Sequence, residues 1–190
     1  MIFLEAFARP LMICHAIAAA VLVGATTHHL LWCRHYFFGK YGQAKAERRF
    51  ATICAIAFVS TFAIGNLLYP TYKVRVRAEY FDNGPAIAAE AKLRAENHHA
   101  LGNTPPPPMP ATVMSLSPIA RLFDIKEHWV ALGCMASVAL WILSRKLHPK
   151  DEPRVLPLYL GLSAVQCGTA WFGAIVGLTT ASYRALGGPV

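Results

Sequence analysis

Acidic residues are scarce in this sequence. Ten Asp and Glu stand against 18 Lys and Arg in 190 residues, and only 15% of the chain is charged. A soluble domain carries about 25%, so a water-soluble globular domain is excluded. Charge is missing altogether from four stretches: residues 11–32 (LMICHAIAAAVLVGATTHHLLW), 50–69 (FATICAIAFVSTFAIGNLLY), 129–144 and 155–183. A membrane-spanning helix needs roughly 20 apolar residues. The first, second and fourth runs reach that length. The third is short, so its outer end belongs in the headgroup zone or against protein. The fourth is long enough to imply tilt.

Cysteine spacing is a second absence. Cys14, Cys33, Cys54, Cys134 and Cys167 form no C-x-x-C and no C-x-x-C-H. The spacing signatures of zinc, iron–sulfur and covalently attached haem are missing, so zinc or iron–sulfur ligation is not expected, and the cysteines read as small buried hydrophobes. No internal repeat is present. The net charge of +8 does not point to nucleic acid, because the basic residues flank apolar runs instead of striping a soluble face. Arg9 and the alanines after it faintly suggest a signal peptide, but the apolar run continues to Trp32 and reads as a retained span.

What is present predicts an all-α integral membrane protein, a four-transmembrane-helix bundle with a long extramembrane loop between helices 2 and 3. Residues 1–70 hold the first two helices, 71–117 a Pro-rich outer loop, and 118–190 the last two. Pro70 should stop the second span. The strict alternation of Lys73, Arg75 and Arg77 places them on one side of an extended segment. A short surface helix is expected over 85–97, then a stiff polyproline tract at 105–108. Ser117 and Pro118 form a helix start. In the fourth span Gly173 and Gly177 form a close-packing G-x-x-x-G, and Gln166 and Thr169 should face protein.

The two short connections carry five and four Lys/Arg and should be cytoplasmic. Both termini and the 71–117 loop then face outward, the periplasm of a bacterial inner membrane.

Histidine in a membrane helix hints at function. The first span has three: His15, His28 and His29. At about 100° per residue, His15 and His29 share a face to within roughly 40°. The residues between them on that face are mostly small, which suits either a flat cofactor or a closely packed neighbour. The second and fourth spans have no histidine. His128 lies at the outer end of the third span, at the depth of His15. The pair His15 and His128 is the candidate axial set for one haem b, and Lys73, Arg75 and Arg77 are candidate propionate or partner contacts. His128 equally reads as an interfacial residue, and the three cations equally as a solvated edge. His28 and His29, at the inner end, are candidates for a quinone or second site. His98 and His99 read as exposed loop residues.

An early histidine in the first span, Gly24, an aromatic and basic exit, Arg48-Arg49-Phe50 before a glycine-containing second span, and Lys126 at the start of the third resemble small four-helix haem-b membrane proteins. These include the HemJ-type protoporphyrinogen oxidases and CopD-like proteins. The resemblance implies a histidine and a lysine near haem, roles that fall by position to His15 and Lys126. The outer segment 71–117 is an addition to that pattern.

The expected function is a membrane subunit of a respiratory or photosynthetic electron-transfer complex. It would bind one haem b between helices 1 and 3 and pass electrons, with or without quinone, or anchor a redox partner. Its partners would be other membrane subunits and lipid. The rival is a cofactor-free accessory subunit of a large membrane complex. A stand-alone membrane enzyme of haem metabolism ranks third, because no acid–base constellation converges in the sequence.

Overall fold

The computed structural model describes residues 2–100, 102 and 109–183; side chains at 90, 91, 94, 95, 97–100, 109–120 and 183 are outside it. The polyproline tract 105–108 and the side chains of His98, His99, Ser117 and Pro118 therefore lie outside the described residues. Every regular element among the described residues is helical: α1 (Ala8–Phe37), α2 (Ala44–Thr71), α3 (Gly84–Ala100), α4 (Met109–Lys146) and α5 (Leu156–Tyr183). Four helices are long and apolar enough to cross a membrane.

Helix α1 places Pro10 in its first turn, where a missing N–H leaves nothing unpaired. It ends at Gly39, whose φ of +69° lets its N–H turn back onto the Tyr36 carbonyl at 3.0 Å. This is the left-handed closure that glycine adopts without steric penalty. At the same end of the bundle the Tyr159 hydroxyl donates to the Leu147 carbonyl at 2.8 Å, pairing an acceptor that the end of α4 leaves open.

Pro70 does not stop the second span. It lies inside α2, and a π-helical segment, Tyr72–Phe81, continues the helix directly. A proline ring removes one rung of the helical ladder, but membrane helices tolerate this through local π adjustments. The ladder widens two residues later. The alternating cations are thus helical and not extended. What holds the segment is the fourfold spacing of Tyr72, Val76 and Tyr80, which bury with Phe81 and Ile87 against Tyr69 and Phe123. Tyr72 stacks on Phe123 of α4 with centroids 3.8 Å apart. The expected extramembrane loop is correspondingly reduced. Much of 71–117 is helical, and α4 begins at Met109, ahead of the start expected at Ser117.

The spanning helices form a square. Helix α1 packs against α2 and α5, and α4 packs against the same two. Spans one and three therefore occupy opposite corners, and a group shared between them lies in the bundle centre. Leu22, Phe58 and Ala170 fill the middle, with Val130 and Cys134 against them. Gln166 and Thr169 are fully buried, as their mid-span position predicts. The outward faces carry Ile13, Ile17, Ile56, Met135, Ile175 and Leu178, all more than half exposed. That is the surface a lipid-facing bundle presents, since helices in lipid associate by close packing and not by hydrophobic burial.

The tightest approach is at Gly133 of α4. A Cβ there would overlap the Thr169 side chain and lie 2.6 Å from Phe58 Cζ. Gly133→Ala should destabilise the bundle by about 1–3 kcal/mol, read as a lower thermal midpoint in detergent. Gly161→Ala, with open space around it, should leave the midpoint unchanged.

Candidate functional sites at the two ends of the bundle

At the end of the bundle where α1 begins, called the outer end after the orientation expected from charge, two polar side chains each lie over a glycine of an adjacent helix. His15 of α1 lies over Gly65 of α2: a Cβ on Gly65 would sit 3.3 Å from the ring's Cε1. Lys126 of α4 lies over Gly177 of α5, where a Cβ would sit 3.2 Å from Nζ. Each polar side chain thus uses the flat face of a glycine on an intervening helix. His15 Nδ1 is buried with no hydrogen-bond partner among the described residues, while the ring also interacts with the Thr61 backbone of α2. Lys126 is the cation within electrostatic range of His15, and its ammonium also lies 4.9 Å from the Phe123 ring centroid. Gly173 packs on Val130 of α4, so both glycines of the G-x-x-x-G pair face α4.

His128 is placed differently. It sits two residues past Lys126, on another face of α4. It is exposed, with Nδ1 3.0 Å from the Asp124 carbonyl of its own helix. His15 and His128 share an end of the bundle, but the inward face of α4 belongs to Lys126.

The three outer cations are engaged within the protein. Arg75 donates to Glu5 at 2.6 Å and to Glu79 at 2.8 Å. Arg77 pairs with Asp82 at 3.2 Å and with Asp124 of α4. Lys73 lies 5.9 Å from the Tyr69 ring centroid. These pairs fasten the π-helical segment to the N-terminal turn and to α4.

The inner end holds a second polar cluster. His29 is completely buried, whereas its neighbour His28 is exposed and packs on Phe50, centroids 4.6 Å apart. His29 Nε2 lies 3.1 Å from Glu47 Oε1, and its Nδ1 lies 2.7 Å from the Gln166 amide nitrogen. With the amide donating to Nδ1, the imidazole proton sits on Nε2 and is donated to Glu47. Cys33 lies one turn after His29, also fully buried. Around them Tyr36 packs against Tyr41, Tyr159 and His148.

Glu47 is the residue that sequence reasoning passed over. It is the only acid in a basic connection, but α2 begins at Ala44 and puts it in the first turn, 1% exposed. Its isolation among five cations was the available signal.

No protein-family model, curated protein or solved structure matches this chain.

A buried polar pair that loses one partner is strongly destabilised. Glu47→Leu leaves the neutral His29 Nε2–H unpaired and should lower stability by about 1–3 kcal/mol. The double variant His29→Leu/Glu47→Leu should recover part of that loss, measured as the non-additivity of the thermal midpoints.

Proposed function

We propose that the chain is a membrane subunit of an electron-transfer complex that holds one haem b at the outer end of its four-helix bundle. The observation that carries this reading is the buried Nδ1 of His15, which lies against Gly65 without a hydrogen-bond partner among the described residues. An imidazole nitrogen left without a partner inside a membrane bundle is an available axial donor. Lys126, within electrostatic range of His15, supplies positive charge of the kind a propionate pairs with. Haem b, when bound, supplies a one-electron redox centre.

The chain's own part is to fix the donor and exclude water. Gly65 sets the position of the His15 ring, Gly177 makes room for the Lys126 side chain, and Thr61 and Leu68 bury the neighbouring face of α2. His15 would hold the haem iron in this reading. His128, exposed on another face of α4, suits contact with lipid or a neighbouring subunit better than a central ligand. Arg75 and Arg77 hold the outer segment in place for a partner to dock. In this reading the inner end, with its basic short connections, faces the cytoplasm and the π-helical segment lies outside a bacterial inner membrane, as the charge of the short loops favours.

Protein purified from its native membrane in mild detergent should show the sharp α-band of haem b in a reduced-minus-oxidised spectrum. His15→Ala should abolish the band, and His128→Ala should leave it. A band unchanged by His15→Ala overturns the assignment. No band in native material replaces it with the cofactor-free accessory subunit.

A further inference from the structure

The inner cluster has a donor set of its own. One nitrogen of His29, the sulfur of Cys33 and a carboxylate oxygen of Glu47 all lie within 4.8 Å of one another. All three residues are buried, at 0%, 0% and 1% exposure. Two donors are one helical turn apart on α1, and the third projects from the first turn of α2. The cluster also contains unpartnered groups: Glu47 Oε2 and Gln166 Oε1 are buried without hydrogen-bond partners among the described residues.

We propose that His29, Cys33 and Glu47 bind a divalent transition-metal ion of the zinc class at the inner end of the bundle. Imidazole, thiolate and carboxylate are the three protein donors zinc uses. Bonds of about 2.0–2.3 Å hold tetrahedral ligands roughly 3.3–3.8 Å apart. The His29–Glu47 separation of 3.1 Å is already near that range, so mainly the Cys33 thiol has to close up.

Charge favours the ion. A dication with one thiolate and one carboxylate sums to zero, which suits a site walled by apolar helices. On binding, the Cys33 thiol loses its proton to water and the sulfur bonds the metal. The His29 proton moves from Nε2 to Nδ1, freeing Nε2 as a ligand. Gln166 then presents its amide the other way round, so that Oε1 accepts Nδ1–H. Gln166 is the orienting partner that metal-bound histidines ordinarily have. The fourth position is left to water. Tyr36, whose buried hydroxyl has no partner among the described residues and which feels the charge of both Glu47 and Cys33, is a ready hydrogen-bond partner for it. The site was hidden from cysteine spacing because it uses a single cysteine.

The test loads the full-length, detergent-purified protein with Co2+ after chelator treatment, and in parallel with Zn2+ followed by dialysis and elemental analysis. The expected result is one ion retained per chain and a thiolate-to-cobalt charge-transfer band in the near ultraviolet. Cys33→Ser should abolish that band. Gln166→Leu should weaken affinity by roughly 10–100-fold while keeping the band at saturating Co2+. His15→Ala should retain both metal and band, which keeps this site separate from the haem reading. A wild-type protein that retains no stoichiometric Zn2+ and shows no such band overturns the proposal. So does a band that survives Cys33→Ser. Circular dichroism of each variant identifies loss of fold, and in that event the wild-type result decides.

Discussion

A carboxylate buried among membrane helices has to be answered by polar groups from its neighbours, and Glu47 sets that condition for this bundle. Nothing in a hydrocarbon surround solvates it. His29 answers from α1, and Gln166 from α5 holds the other side of the same imidazole. Three helices are thereby fixed in register by one chain of hydrogen bonds, which apolar side chains sliding in lipid would not enforce. The aromatic residues at the inner end, Tyr36, Tyr41 and Tyr159, pack on one another beside the cluster.

The outer end is organised by a different rule. There the polar side chains have few protein partners, and glycines make room for them. His15 rests over Gly65 and Lys126 over Gly177, so two diagonal helices approach the centre through notches in the other two. The outer end leaves an imidazole nitrogen unpaired, whereas the inner end pairs its imidazole on both sides and leaves Glu47 Oε2, Gln166 Oε1 and the Tyr36 hydroxyl without partners among the described residues. This asymmetry is why the redox reading is placed at the outer end and the ion-binding reading at the inner end.

The spans were legible because an uncharged run long enough to cross a bilayer seldom suits any other setting, and Gln166 and Thr169 face protein as their mid-membrane position requires. The helical state of Tyr72–Phe81 was not read, because alternating cations outweighed the fourfold spacing of Tyr72, Val76 and Tyr80. Charged residues on a solvated helix carry no fixed period, whereas the buried ones do. The diagonal placement of α1 and α4 cannot be read from one sequence, since both square and linear orders satisfy the same hydropathy. Adjacent histidines pose a similar limit. His28 and His29 are about 100° apart on a helix, and only the positions of the neighbouring helices decide which one is buried. For Lys126 and His128 the same geometry hands the inward face to the lysine.

The unbroken run from Ala44 to Phe81 is 38 residues long. At about 1.5 Å per residue this is well over 50 Å, against a hydrocarbon core of about 30 Å. Helix α4 is also 38 residues long. Both are longer than such a crossing requires, and they are bound to each other where Tyr72 stacks on Phe123 and Arg77 pairs with Asp124. The two are thereby joined at a level beyond Lys126. Phe123 and Asp124 lie within one turn of Lys126, so a force applied at this junction is delivered directly to that lysine.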